Sequence, residues 1–267
     1  MPKKAAPKIR PAYRNKELIV FDLDGTLAPS KSIASKPMIR LILKLLEKKK
    51  MAVIGGGKYE LFQRQLTAQL PHHDGRLQNL FLFPTTSNAF YRYHGQWRNV
   101  YQLKLSRAEK KRIKKEFAAV LKAVHYTPPK KIYGVTLEDR TTQMSFSPLG
   151  QDIVTALGNK GIRLKEQWNR EHNPLRLKMV KLLARRLPGL EVRAGGLTTI
   201  DITRKGIDKA YGVRQIKKTL KIPISRMLFV GDALYKGGND AAVKKTGVDW
   251  MAVKNPKETE QIIRQLV

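Results

Sequence analysis

Val20-Phe21-Asp22-Leu23-Asp24-Gly25-Thr26-Leu27 is the stretch whose interpretation decides the fold. Glu17-Leu18-Ile19-Val20-Phe21, a nearly unbroken apolar run, reads as a buried parallel strand. Open α/β sheets bind ligands at the carboxyl ends of such strands, and Asp22 and Asp24 stand at this end. Strand alternation predicts that both carboxylates point to one side, with Leu23 turned away, and Gly25 permits the tight backbone that follows. Two carboxylates this close repel each other unless a cation sits between them. A plain Asp/Gly turn would explain a dipeptide. It explains less well two acids, a glycine and a threonine in this order.

Outward from the motif the pattern is strand, helix, strand. Pro37 sets the first turn of a helix with Met38, Ile42, Leu45 and Leu46 on its apolar stripe, and Lys48, Lys49 and Lys50 close it. Met51-Ala52-Val53-Ile54 runs into Gly55-Gly56-Gly57 and a helix carrying Leu61, Phe62, Leu66 and Leu70. A strand followed by glycines and a helix can offer bare N–H groups to a phosphate, which makes Gly55 and Gly56 candidate phosphate-binding residues; three glycines can equally form only a tight turn. Leu80-Phe81-Leu82-Phe83 is a third strand, ended by Pro84. From Asn88 onward antiparallel signals take over: a hairpin around His94-Gly95, a capping box at Ser106 to Glu109, paired strands around Asp139-Arg140-Thr141, and a helix that Asn173-Pro174 is expected to start. The βα alternation returns after Ile202, with a helix from Lys209, a strand Met227-Leu228-Phe229-Val230, a strand at Trp250 to Val253 and a helix capped by Asn255-Pro256. The expected fold is therefore α/β, a doubly wound, Rossmann-like parallel sheet, discontinuous over 15–87 and 204–267, with an α+β cap inserted over 88–203. Residues 1–14 are expected to be a flexible basic tail.

The 267 residues hold enough chain for real cores, and no apolar run is long enough for a membrane span. The start lacks the apolar core of a signal peptide, so a cytoplasmic location and no membrane partner are expected. With no Cys there is no disulfide, thiolate nucleophile or cysteine metal site, and the five His show no ligand spacing. A metal here is expected to be held by oxygen, which suits Mg²⁺. The 53 Lys and Arg against 21 Asp and Glu give a formal charge of +32, a field that attracts phosphorylated metabolites and nucleic acid alike. The cations are spread over helices such as Lys110 to Lys115, so any nucleic-acid binding is expected to be weak and nonspecific.

The first motif resembles that of the haloacid dehalogenase (HAD) superfamily of aspartate-nucleophile phosphotransferases. Gly206-Ile207-Asp208-Lys209 resembles the lysine motif, and Phe229-Val230-Gly231-Asp232 with Gly237-Gly238-Asn239-Asp240 resembles the metal loop. The cap inserted after Gly55 is similar to that of the α/β-capped branch, subclass IIB. Ser147-Pro148-Leu149-Gly150 and Gly195-Gly196 with Thr199 and Asp201 resemble eukaryotic-type phosphomannomutase and its bacterial phosphatase-like relatives. The resemblance implies Asp22 as nucleophile, Asp24 as general acid and base, and Lys209 as the neutralising cation. Mg²⁺ would be held by Asp22, Asp24 and Asp232, with Asn239 and Asp240 behind them. Lys31, Gly55 and Gly56 would meet phosphate, and Arg140, Thr199 and Asp201 the substrate. Two positions depart from the family: Gln151 stands where mutases carry arginine, and Lys31 replaces another arginine. The expected activity is thus a Mg²⁺-dependent phosphatase of sugar phosphates or similar small metabolites, with phosphomannomutase as the alternative and a nucleic-acid-binding protein on this scaffold as an alternative of another class. A homodimer through the cap is a further expectation.

Overall fold

The structure is a computed structural model that describes residues 7–267. In chain order its elements are α1 (Pro11–Arg14), β1 (Leu18–Asp22), α2 (Lys36–Lys48), β2 (Lys50–Ile54), α3 (Tyr59–Gln65), β3 (Leu80–Phe83), the single turn α4 (Pro84–Ser87), β4 (Ala89–His94) and β5 (Gln96–Gln102). They continue with α5 (Arg107–Ala123), β6 (Leu137–Asp139), β7 (Met144–Phe146), α6 (Ile153–Leu157), α7 (Asn159–Arg186), β8 (Leu190–Gly195) and β9 (Thr199–Arg204). The chain closes with α8 (Lys209–Leu220), β10 (Met227–Gly231), β11 (Asp249–Ala252) and α9 (Pro256–Leu266). Two units result, one from residues up to Tyr101 plus Asp208–Val267, the other from Gln102–Ile207.

The first unit is built on a seven-stranded sheet in the order β11-β10-β1-β2-β3-β4-β5, parallel from β11 to β3. Its central strands are apolar throughout because both faces are covered. Ile19, Phe21, Met51 and Val53 pack toward α2, α3 and α9, while Leu18, Val20, Ala52 and Ile54 pack toward α8. Burying each of these side chains other than Ala52 contributes about 1.5–3 kcal/mol. The even positions of β1 face the α8 side, so Asp22, next in that series, emerges beside the start of α8.

Three expectations need correction. The hairpin of β4 and β5 belongs to the first unit, because β4 pairs antiparallel with β3 and Phe90 stacks on Phe83 at 4.6 Å; the boundaries fall at 101/102 and 207/208 rather than 87/88 and 203/204. Residues 7–14 are not a free tail: Ile9 and Tyr13 are buried, and Gln265 accepts from the Ile9 N–H at 3.2 Å and donates to the Pro7 carbonyl at 2.8 Å. Residues 1–6 of that expectation lie outside the described residues. Finally, Asn173-Pro174 does not start a helix. α7 runs through Pro174.

The second unit has a four-stranded antiparallel sheet in the order β6-β7-β9-β8. One face is apolar, with Met144, Phe146, Ile200, Ile202 and Val192 against Ile113, Phe117 and Val120 of α5 and Met179 and Leu183 of α7. The register aligns Glu138, Ser145, Asp201 and Arg193 in one row, which makes the opposite face polar. The Ser106 capping box that opens α5 is present as expected.

Candidate active site

Four charged side chains meet at the carboxyl ends of β1 and β10. Lys209, 1% exposed, is the first residue of α8 and donates from Nζ to Asp22 Oδ1 and Asp240 Oδ1. Asp22, Asp232 and Asp240 offer oxygens that lie within 4.8 Å of one another. Burial pushes the Asp22 carboxyl well above the usual carboxylate range, and repulsion from Asp240 and Asp232 adds to that; Lys209 offsets it only in part. Burial, then Asp240, raises Asp232 to about 6. The Lys209 ammonium loses by burial, yet Asp22 and Asp240 outweigh that loss and hold it above its ordinary value. Three acids against one lysine leave an excess of two negative charges in a largely buried site. One divalent cation would balance it, so the residues fit an oxygen-ligated metal such as Mg²⁺.

The backbone is shaped around these groups. Gly25 has φ +86°, and a Cβ there would strike Asp232 Oδ2. A Cβ at Gly231 would strike Asp240 Oδ2. Thr26, fully buried, accepts from the Asp232 N–H at 3.1 Å, and Asp240 Oδ2 accepts from the Ala233 N–H at 3.0 Å. The loop from β10 is thereby closed on itself.

Not every expected residue joins the cluster. β1 ends at Asp22, and the Asp24 carboxylate turns elsewhere: its Oδ1 accepts from the Lys31 N–H at 2.6 Å and from Gln65 Nε2 at 2.9 Å. Asp24 lies past the end of β1, so strand alternation does not carry on to it. Asp240 brings one oxygen close to those of Asp22 and Asp232 and accepts from Lys209, and Asn239 is exposed. Lys31, at φ 54°, contributes its backbone N–H. In the glycine turn the Gly55 N–H is already given to the Phe83 carbonyl at 3.3 Å, which removes it as a phosphate donor, while Gly56 borders open space. Gln65 and Thr26 join the site in addition to the expected residues. Thr26 was visible in the first motif, whereas Gln65 sat unremarked beside the Phe62 and Leu66 stripe.

In the second unit, Arg140 donates from Nε to Glu138 at 2.7 Å and from its terminal nitrogen to Gln151 Oε1 at 3.0 Å. Gln151, 5% exposed, donates in turn to the Ser145 carbonyl at 2.8 Å. Asp201 accepts from Ser145 Oγ at 2.6 Å, and a Cβ at Gly195 would strike both Asp201 and Thr199. Arg140, Gln151, Ser145 and Asp201 thus form one connected polar surface on the sheet.

Residues 38–267 match the family model described as eukaryotic phosphomannomutase. The chain belongs to that family. Among similar proteins, the phosphomannomutase of Saccharomyces cerevisiae is 26% identical over 263 residues, covering 96% of each chain, and that of Encephalitozoon cuniculi is 27% identical over 260 residues, covering 95% of this chain and 94% of the other. The fold is shared with a Plasmodium falciparum IMP-nucleotidase (TM-score 0.67, 17% identity, 94% of this chain and 68% of that one). It is shared also with an Aspergillus fumigatus trehalose-6-phosphate phosphatase (TM-score 0.54, 16% identity, 96% and 94%). This phosphomannomutase-family member is therefore an enzyme with a haloacid dehalogenase fold, as the three motifs implied. Among the described residues, no helix is long and apolar enough to cross a membrane.

Proposed function

We propose that the chain is a Mg²⁺-dependent phosphoaspartyl phosphotransferase that hydrolyses a sugar phosphate or a similar small phosphorylated metabolite. Its chemistry rests on the buried group of Asp22, Lys209, Asp240 and Asp232. Lys209 holds Asp22 through Oδ1, leaving the other oxygen to attack phosphorus in line. As the phosphorus–oxygen bond breaks, Asp24 gives a proton to the leaving oxygen, and it later takes one from the attacking water. Mg²⁺, held by the carboxylates of Asp22 and Asp232 and by the backbone carbonyl of Asp24, would supply the positive charge that lets a phosphate dianion approach these carboxylates. Asp240 keeps Lys209 in register with Asp22.

Hydrolysis rather than isomerisation is supported by one observation, the engagement of Arg140 by Glu138 and Gln151. A mutase must grip the far phosphate of a bisphosphate, which calls for forked arginines. Here the second arginine is Gln151, and Glu138 already neutralises Arg140. A missing charge-assisted bond weakens the grip by about 1.5–3 kcal/mol, roughly 10- to 150-fold. Thr199 and Asp201 suit hydroxyl groups instead. The second reading, a phosphomannomutase, draws on the family match and on relatives of equal length.

Phosphate release across a panel of phosphorylated sugars with Mg²⁺, run beside a coupled isomer assay, tests the two. We expect hydrolysis to exceed isomerisation and Gln151→Arg to move the ratio toward isomer. Isomer formed ten times faster than free phosphate would put the mutase first. A homodimer through the inserted unit belongs to the same proposal: Ile132 and Val135 are 41% and 58% exposed there. Val135→Asp should then shift sedimentation equilibrium toward monomer, and an unchanged mass would reject that interface.

A further inference from the structure

Gln65 has no role in the reaction as described, yet it is buried without exposed surface at the last position of α3 and reaches Asp24. Its Nε2 donates to Asp24 Oδ1 at 2.9 Å and to the Ser32 carbonyl at 3.0 Å. Both neighbours are acceptors, so the amide is fixed with its NH₂ toward them. Its Oε1 is buried and has no hydrogen-bond partner. An unpaired buried acceptor is costly, and Met or Leu would fill the same space without that cost. Nothing in core packing accounts for a polar group kept there.

The arrangement around Asp24 supplies the reason. Two donors, the Lys31 N–H at 2.6 Å and Gln65 Nε2, converge on one oxygen, Oδ1. The left-handed backbone of Lys31 aims its N–H there. No hydrogen bond from a described residue engages Oδ2. We propose that Gln65 is a positioning residue: with the Lys31 N–H it clamps Asp24 through Oδ1, so that Oδ2 is the oxygen that carries the proton to the leaving group. In the first half-reaction the bond from an Asp22 oxygen to phosphorus forms and the bond from phosphorus to the leaving oxygen breaks. The proton on Asp24 Oδ2 passes to that oxygen, which departs as a neutral alcohol, and Asp24 is left as carboxylate. Without the clamp the carboxyl rotates, and the transfer loses its alignment.

This inference rests on the phosphotransferase reading above. The test uses the intact protein with Mg²⁺ and two substrate types that differ in their need for the proton. An alkyl phosphate such as a hexose 6-phosphate has a poor leaving group and needs it, whereas 4-nitrophenyl phosphate has a good one and needs it little. kcat/KM is measured because it reports steps through departure of the leaving group. In Gln65→Met, the ratio of aryl to alkyl kcat/KM should rise on the order of tenfold or more, since positioned general acids contribute about 10²- to 10⁴-fold. Gln65→Glu keeps the volume and a polar end but loses both donors, and it should move the ratio in the same direction even where the Met variant folds poorly. A merely structural role lowers both substrates by one factor; an unchanged ratio in a folded variant therefore overturns the proposal. Absence of turnover with either substrate type in the unaltered protein overturns the phosphotransferase reading itself, and the clamp falls with it.

Discussion

Replacing Lys209 with Met removes the cation that pairs with Asp22 and Asp240 in a site that holds three carboxylates. Their oxygens lie within 4.8 Å of one another, so each ionised pair repels by at least about 3.5 kcal/mol at an effective dielectric of about 20. The site cannot stay fully ionised at that cost. Breaking a buried ion pair by deleting one partner is expected to cost about 3–5 kcal/mol at pH 7.5 in the presence of a chelator. The direction with pH follows from Asp232 and Asp22. A folded carboxyl raised above its ordinary 3.8, to about 6 for Asp232, binds its proton more tightly than the unfolded chain does. Stability of the metal-free protein therefore falls as pH rises from about 4 through 6, and Asp22, also held above its ordinary value, acts in the same direction. The Asp232 shift corresponds to about 3 kcal/mol at full strength and to about half of that once solvent screening of a partly exposed group is allowed for. Acidification to pH 5 should thus recover part of what Lys209→Met loses, and Mg²⁺ should recover part of it at pH 7.5. Native-state hydrogen exchange of the β1 amides, corrected for intrinsic rates, measures this locally and avoids treating a two-unit chain as a single transition. Equal or greater β1 protection in Lys209→Met, in chelator at pH 7.5, would refute the account of an excess of buried negative charge.

Asp22→Asn should reduce phosphate release below about 1% of the unaltered rate without lowering metal-free stability, because it removes a carboxylate that burial already disfavours; paired turnover and urea-unfolding measurements check both halves. Gly25→Ala places a Cβ on Asp232 Oδ2 and forces alanine to φ +86°, so Mg²⁺ affinity by titration calorimetry should fall about tenfold or more, and a change under twofold would show that Asp232 has room to move. Tyr13→Ala should cost about 2–4 kcal/mol by urea midpoint, since Tyr13 is buried in the core of the first unit; a loss under about 0.5 kcal/mol would restore the picture of a free segment.

Several features of this protein were already written in its sequence because they depend on neighbours along the chain. The unbroken apolar run of β1 and β10, the Ser106 capping box, the Asn255-Pro256 start of α9 and the ordered motifs around Asp22, Lys209 and Asp232 each follow from local periodicity or spacing. Together they fixed the α/β class and the family likeness. What the tertiary structure decided involves pairs far apart in the chain. Lys209 meets Asp22 across 187 residues, and whether Asn239 or Asp240 faces them depends on how the loop after β10 closes on Ala233 and Thr26. Asp24 sits two residues from Asp22, yet its direction is set by Gln65, 41 residues away, and by the left-handed backbone at Lys31. The β4–β5 hairpin joined the first sheet because the open edge of β3 needed partners for its backbone, a requirement that no local signal between Asn88 and Gln102 records. Pro174 forfeits one hydrogen bond within α7, and packing of Met179 and Leu183 along the same helix against the cap sheet outweighs that loss. Local sequence specifies which elements form and where chemistry can sit; the direction of each polar side chain is settled only when distant donors and acceptors meet in a site that excludes water.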